Sequence, residues 1–206
     1  MTTIVAVRHG ETTWNRKHRL QGWAPAPLTS LGREQADQLG AALTERYEID
    51  RILSSDLHRT EETLEILLEH FDAPVTLDSA WRERDIGVYQ GVAFDEMIER
   101  FPEYGLGEAG AEAAHRQPES GESLADVRER VIERWETTLA EFESTETILI
   151  VTHGGPIRLV LGHLKDLDIV DTILEQSQAN CSINEFEFNH ETGAVSIVRE
   201  NDTNHC

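Results

Sequence analysis

Two short apolar segments of this chain each end in a histidine that is followed by glycine. The first, residues 2–7, leads into Arg8-His9-Gly10, and the second, residues 147–151, leads into Thr152-His153-Gly154-Gly155. Apolar runs of this length that are rich in β-branched residues are typical of buried strands in a parallel sheet. Ligands of open α/β sheets bind just beyond the carboxyl ends of the strands. The sequence therefore predicts that the two imidazoles lie at the same edge of one sheet and act on one ligand.

The rest of the chain alternates between extended and helical patterns. Further strands are predicted at residues 49–53, 74–77, 182–188 and 194–198, the last two as edge strands joined by a turn. Amphipathic helices are predicted after Thr29 or Ser30, after Ser54-Ser55-Asp56, after Ser123 and from Pro156. Strands that alternate with helices predict an α/β fold, a three-layer α/β/α sandwich with a mostly parallel central sheet.

Chain length favours one domain over residues 1–206 with a lid-like insertion. The segment 103–121 is rich in glycine, alanine and glutamate and has almost no bulky apolar residues. Such a segment contributes little to a core, so we expect a loop or lid there.

The chain is strongly acidic. Its 39 acidic and 18 basic residues give a net charge of −21, and Lys17 and Lys165 are its only lysines. Salt screens the self-repulsion of such a surface, so we favour a halophilic protein over one that is merely acidic. In ~1 M salt the Debye length is about 3 Å, which leaves an anionic substrate free to approach. No cluster of basic residues stands out, and nucleic acid is not an expected partner.

Other sequence features bear on location and cofactors. No stretch approaches the roughly 20 apolar residues of a membrane span, and the N-terminal residues lack a signal pattern. We expect a cytoplasmic protein with no membrane partner. Cys181 and Cys206 lack metal-ligand spacing, so neither a metal nor a cofactor is predicted. The sequence carries no signal for an oligomeric state.

The residues at the predicted strand ends fit phosphoryl chemistry. A neutral imidazole is a good nucleophile toward phosphorus, and cationic neighbours keep its pKa low and hold the phosphoryl oxygens. Arg8 adjoins His9, and Arg59 falls in the first turn of a helix, where its planar fork and the helix N-terminus both favour phosphate. Glu83 follows a predicted strand and is placed to protonate a leaving oxygen, with Asp85 as the alternative.

Several of these motifs occur together in a fixed order between residue 3 and about residue 158. They are Arg8-His9-Gly10-Glu11-Thr12, Trp14-Asn15, Gln21-Gly22, Pro27-Leu28-Thr29, Gly32, Gln35-Ala36, Ser54-Ser55-Asp56-Leu57 with Arg59, Arg82-Glu83, Gly87, Gln90-Gly91 and His153-Gly154-Gly155. This set resembles the signature of the histidine phosphatase superfamily, the phosphoglycerate mutase-like proteins.

The resemblance implies roles for particular residues. It makes His9 the nucleophile that becomes phosphorylated and Glu83 the proton donor. Those implied to bind the phosphoryl group are Arg8, Arg59 and His153. Those expected to line the substrate pocket are Asn15, Gln21, Gly22 and Gly154.

The chain also departs from the family pattern. Ala24 and Ala26 stand where the family often has an acidic residue. The mutase branch usually has a longer, more basic segment before the second histidine, whereas this chain offers only Arg116, beside His115. The sequence therefore favours hydrolysis of a small phosphorylated metabolite, a monophosphate, over mutase action.

Alternative interpretations remain at this stage. Arg59 would be merely a solvated helix residue in one of them, and Glu83 a salt-bridge partner of Arg82 or Arg84. The competing functions are a phosphoglycerate mutase-type phosphoryl transfer, a metallohydrolase and a non-catalytic phosphate-binding protein. No helix carries paired histidines at metal-ligand spacing, which disfavours the metallohydrolase.

Overall fold

The two strands that end in histidine are neighbours in one sheet. The computed structural model describes residues 1–142 and 145–206. In it, β1 (Thr2–Arg8) pairs in parallel with β4 (Thr147–Thr152), with Arg8 opposite Thr152. The prediction that His9 and His153 leave the sheet at one edge is thus met by the strand register.

Two further strands complete the parallel part of the sheet, and two antiparallel strands extend it on the other side. β2 (Arg51–Ser54) pairs in parallel with β4, and β3 (Val75–Leu77) pairs in parallel with β2. β5 (Ile183–Asn189) and β6 (Ala194–Asp202) are antiparallel, and the sheet order is β3-β2-β4-β1-β5-β6. The fold is therefore a mixed α/β fold around a mostly parallel six-stranded sheet.

One strand placement was predicted wrongly. β5 is not an edge strand, because it lies between β1 and β6. The alternation of apolar and polar residues in β5 indicates that one face of the strand is only partly covered. Such partial cover is common in antiparallel strands at any position of a sheet.

The helices vary in length. Four are longer than two turns: α2 (Ser30–Arg46), α3 (His58–Leu67), α7 (Leu124–Glu141) and α8 (Gly154–Leu164). The short ones are α1 (Thr13–Arg16), α4 (Phe94–Arg100), α5 (Leu106–Ala109), α6 (Ala111–His115) and α9 (Ile169–Leu174), with single 3₁₀ turns at Ser79–Trp81, Gly87–Tyr89 and Pro102–Tyr104. Within the described residues, no helix is long and apolar enough to cross a membrane.

Alternation along β1 produces two cores, one on each face of the sheet. Ile4 and Ala6 pack with apolar residues of α7 and α8. Val5 and Val7 point to the other face and pack with residues of α2 and α3. Side chains of successive strand residues point to opposite faces, so one apolar run serves both cores. The predicted sandwich of helix, sheet and helix layers is confirmed.

Helix starts follow the sequence in two cases and not in a third. Thr29 caps α2, and Ser123 and Asp126 form a capping box at α7. The predicted cap at residues 54–56 is wrong, because Leu57 is the N-cap of α3 and no side chain caps it. The polar groups there are engaged elsewhere, as the carboxylate of Asp56 accepts two hydrogen bonds from Arg82 at 2.6 and 2.5 Å.

The segment 103–121 contains more structure than a loop. It includes α5 and α6, and Ala113 and Ala114 of α6 are almost fully buried. α6 packs against α7, and Ala114 belongs to one of the two cores. Small side chains permit this close approach. A segment without bulky apolar residues can therefore still pack into the core.

Candidate active site

Arg8 and His9 reach the same cavity although they are adjacent on a strand. β1 ends at Arg8, and the amide of His9 donates to the carbonyl of Thr152 at 3.0 Å. Gly10 then passes so close to α2 that a Cβ there would lie 2.3 Å from the carbonyl oxygen of Gly32. The backbone turns at the strand end, and both side chains line one cavity.

The His9 ring is buried and its tautomer is defined by its partners. Nδ1 lies 2.8 Å from the carbonyl oxygen of Gly10, which can only accept a hydrogen bond. Nδ1 therefore carries the proton. Nε2 accepts a hydrogen bond from Arg59 Nε at 3.2 Å, so its lone pair points to the guanidinium. A neutral imidazole with an oriented Nε2 lone pair is a nucleophile.

Arg59 lies between the two histidines. Its Nε also donates to Nδ1 of His153 at 3.1 Å, and the ring centroids of His9 and His153 are 5.3 Å apart. A second guanidinium nitrogen donates to the carbonyl of Gly22 at 2.9 Å. Arg59 is 1% exposed, which is incompatible with the solvated helix residue of the alternative interpretation.

His153 is oriented by the loop between β2 and α3. Its Nδ1 accepts from Arg59, so Nε2 carries the proton and donates to Ser55 Oγ at 2.8 Å. Ser55, one of the predicted capping residues, thus orients the second imidazole instead. The two rings converge on one guanidinium, as the strand-end argument predicts.

The electrostatics keep both imidazoles neutral. Burial, with the positive charges of Arg59 and Arg8 adding to it, holds the pKa of His9 well below its usual value. Burial and Arg59 act in the same way on the pKa of His153. Burial also lowers the pKa of Arg8 and of Arg59 to about 10, so both guanidinium groups stay charged at neutral pH.

Glu83 faces the same cavity across the N-terminus of α8. Its carboxyl oxygens accept hydrogen bonds from the amides of Gly155 at 3.0 Å and Arg84 at 2.9 Å. No ion pair joins Glu83 to the side chain of Arg82 or Arg84 among the described residues, and Arg82 pairs with Asp56. Asp85, the alternative proton donor, caps the amide of Gly87 and does not line the cavity. The geometry favours Glu83.

The remaining predicted pocket residues are divided. Gln21 and Gly22 line the cavity. Asn15 instead caps α1, where its Oδ1 accepts from the amide of Thr12 at 3.1 Å. The backbone of Gly154 packs against Arg8, since a Cβ there would lie 3.6 Å from Arg8 Nε. Neither of these two residues is part of the cavity lining.

The cavity has a volume of about 450 Å³ and a mixed lining. Apolar side chains form much of its wall, among them Ile86, Tyr89, Phe94, Met97, Leu106 and Ile173. Three more arginines, Arg19, Arg84 and Arg158, also line it. Arg116, the cation that the sequence singled out, lines a separate shallow depression with His115.

Sequence reasoning missed these three arginines because they come from three separate segments. Only Arg158 has a local signal. It lies one helical turn after Gly154, on the helix that begins at the predicted phosphate site. Residues four apart share a helix face, so its position relative to Gly154 was available from the sequence.

Comparisons with known proteins identify the family to which this chain belongs. The family model of the histidine phosphatase superfamily (branch 1) matches residues 4–203. The chain belongs to this superfamily. It is 33% identical over 196 residues to a probable phosphoglycerate mutase GpmB of Salmonella choleraesuis, covering 91% of this chain and 86% of that protein.

Solved structures show the same similarity. The Bacillus stearothermophilus protein YhfR superposes with a TM-score of 0.86 at 30% identity, covering 100% of this chain and 99% of that one. A mycobacterial glucosyl-3-phosphoglycerate phosphatase, in complex with VO3, superposes with a TM-score of 0.81 at 28% identity, covering 98% and 99%. The neighbours of this fold thus include both phosphatases and phosphoglycerate mutase-like proteins.

Proposed function

We propose that the protein is a metal-independent phosphomonoesterase that hydrolyses a small phosphorylated metabolite through a phosphohistidine at His9. The observation that carries this proposal is the Nε2 lone pair of a buried, neutral His9, directed at Arg59. A histidine with a purely structural role does not need its lone pair directed at a guanidinium that it shares with a second imidazole at the edge of a cavity.

The first step forms the intermediate. Nε2 of His9 attacks phosphorus, and the bond between phosphorus and the ester oxygen breaks. Arg8, Arg59 and His153 stabilise the charge that builds on the phosphoryl oxygens. Glu83, entering this step as the carboxylic acid, gives its proton to the departing oxygen, which leaves as an alcohol.

The second step regenerates the enzyme. Water attacks phosphorus, the bond from phosphorus to Nε2 breaks, and the Glu83 carboxylate takes the proton of the water. Inorganic phosphate leaves and His9 returns to its neutral form. Each step moves one proton through Glu83, so the carboxyl group acts first as an acid and then as a base.

Phosphoryl transfer to a second hydroxyl is the other candidate. It is favoured by the similarity to a protein named a probable phosphoglycerate mutase and by the three additional arginines of the cavity. The similarity to a protein named a phosphatase supports hydrolysis. The two reactions share the first step and differ only in what attacks the phosphohistidine.

Isotopic labelling distinguishes these reactions. We expect turnover of alkyl phosphates in ¹⁸O-water to place one ¹⁸O in the released phosphate, undiminished by a chelator. Rapid quenching in base should trap phosphate on His9, because phosphohistidine survives base and is lost in acid. A mutase would instead return phosphate to an added alcohol without ¹⁸O. Activity that chelation removes and metal restores would contradict the proposal.

The same assays are run at several salt concentrations. We propose that the net charge of −21 is an adaptation to a salt-rich cytoplasm. Full folding and full activity in dilute buffer would contradict that part.

Gly155→Ala is expected to lower kcat for alkyl phosphates by roughly 10²-fold. A Cβ at this position would lie 2.1 Å from Oε1 of Glu83, so the carboxyl group must move while the fold need not. The effect should be much smaller for p-nitrophenyl phosphate, whose leaving group departs without a proton.

Gly154→Ala is the matched control for this variant. Its Cβ would meet Arg8 only at ordinary contact distances of 3.6 to 3.8 Å, so kcat should stay close to that of the wild type. An equal loss for both esters in Gly155→Ala would show that Glu83 is not the proton donor.

A further inference from the structure

The cavity carries far more positive charge than one phosphate requires. Five guanidinium groups and one carboxylate are found among the described residues that line it. The guanidinium groups are those of Arg8, Arg19, Arg59, Arg84 and Arg158, and the carboxylate is that of Glu83. A phosphate monoester carries at most two negative charges. Acidic residues outnumber basic ones about two to one in the whole chain. The excess of positive charge is therefore particular to this cavity.

Four of these guanidinium groups have hydrogen-bond acceptors in the protein. Arg59 is held by the imidazoles and by Gly22, and Arg8 donates to the carbonyl of Gln178 at 2.5 Å. Arg19 donates to the carbonyl of Gly91, and Arg84 donates to that of Glu122 at 2.8 Å. Their positions are therefore fixed by the fold.

Arg158 differs from the other four. Across residues 1–142 and 145–206, its guanidinium has no hydrogen-bond or ion-pair partner, and its Nε is buried. A buried donor without an acceptor is costly, and more so when it is charged. The nearby Nε of Arg8 is also buried and unpartnered. Two like charges that face one cavity with unused donors form a site for an oxyanion.

The position of Arg158 separates it from the reacting phosphoryl group. It lies four residues beyond Gly154 on α8, a displacement of about 6 Å along the helix axis. Long side chains on a helix lean toward its N-terminus, and the Arg158 side chain lines the cavity, as Leu106 and Ile173 do. Arg59 donates the hydrogen bond to Nε2 of His9, and the charges that add to burial in lowering the pKa of His9 are those of Arg59 and Arg8.

We infer that Arg158 binds a second oxyanion on the body of the substrate, a carboxylate or a second phosphate, while the first phosphate reacts at His9. This inference rests on the proposed function and specifies its substrate class. The substrate is an acidic phosphate ester with a short carbon body, which lies against the apolar wall of the cavity. Arg158 selects such esters over neutral ones of the same shape.

The test uses short alkyl phosphates with one of three terminal groups: a carboxylate, the isosteric carboxamide or a second phosphate. We expect wild-type kcat/KM to favour at least one acidic ester over the carboxamide by about tenfold or more. Arg158→Gln should lower kcat/KM for that ester by roughly 10- to 100-fold and leave the carboxamide nearly unchanged. Comparing the carboxylate with the bisphosphate identifies which oxyanion is preferred.

Three controls make the result specific. Arg128→Gln removes the same charge from an exposed position of α7 and should change neither ester. The inhibition constant of inorganic phosphate should not change in Arg158→Gln. Arg158→Lys keeps the charge and should retain part of the preference for the acidic ester. It replaces the glutamine variant in the test if that variant fails to fold.

The outcomes that overturn the inference are distinct from failure of the proposed function. Equal losses for the acidic and neutral esters, or weaker inhibition by phosphate, would place Arg158 at the reacting group. Binding of the same esters to His9→Ala protein, measured by calorimetry, gives the comparison without turnover. Absence of turnover in the wild type would contradict the proposed function, whereas equal binding of carboxylate and carboxamide would contradict this inference.

Discussion

Replacing His9 with alanine is expected to lower kcat/KM for every phosphate ester by roughly 10⁴-fold or more. The variant lacks the imidazole whose Nε2 is the proposed nucleophile, so the phosphohistidine of the proposed mechanism cannot form. Arg8, Arg59 and His153 remain in place and should still bind phosphate. The measurement is steady-state turnover together with the binding of inorganic phosphate, which should stay within a few-fold of the wild type.

His115→Ala is the control for loss of an imidazole, since His115 is exposed on α6. It should turn over esters at the wild-type rate. Activity of His9→Ala within tenfold of the wild type would rule out phosphohistidine at this position. A loss of both turnover and phosphate binding would instead indicate that the site has collapsed.

The second large effect is a loss of stability below neutral pH. In the folded protein the pKa values of His9 and His153 lie well below 6.5, because both rings are buried beside Arg59. In the unfolded chain the same rings take up protons as the pH falls through about 6.5. The unfolded state then binds more protons, so the free energy of unfolding decreases as the pH is lowered. The two rings together should remove on the order of a few kcal/mol as the pH falls below about 6.5.

Denaturant unfolding at a series of pH values measures this loss. His153→Gln should remove about half of the contribution of the pair, so the decrease should be correspondingly smaller than in the wild type. Burial also lowers the pKa of His205, which adds to the slope in both proteins and cancels in the comparison. His115→Gln, at the surface, should follow the wild-type curve. A stability that does not change between pH 6.5 and pH 5 would contradict the neutral, buried state of the two imidazoles.

The convergence of His9 and His153 was predictable because it depends on a rule of topology. If two apolar strands that each end in histidine are parallel neighbours, both imidazole rings must lie at the same edge of the sheet. The caps of α2 and α7 were predictable for a related reason, since a threonine or serine cap acts within three residues of itself. Sheet geometry thus predicted where the two imidazoles lie, and the chemistry of local capping residues predicted where two helices begin.

What escaped prediction depends on contacts between distant segments. Ser55 and Asp56 are good capping residues, yet His153 and Arg82 engage their side chains. The basic character of the cavity is not visible in any one basic segment, because its arginines are spread along the chain. Arg19, Arg84 and Arg158 meet only after the sheet has formed. Apart from the spacing of Arg158 from Gly154, a cluster of charges drawn from separate segments has no local signal in the sequence.

The pairing of β1 with β4 also determines when, during synthesis, the candidate active site can assemble. Thr3 is paired with Thr147, so the strands that support the two imidazoles are separated by most of the polypeptide. Contacts of such high sequence separation form late and slow the folding of a domain. A nascent or truncated chain that stops before residue 147 contains His9 but not its neighbouring strand. Such a fragment lacks the second imidazole, so the candidate site can assemble only after most of the chain has been synthesised.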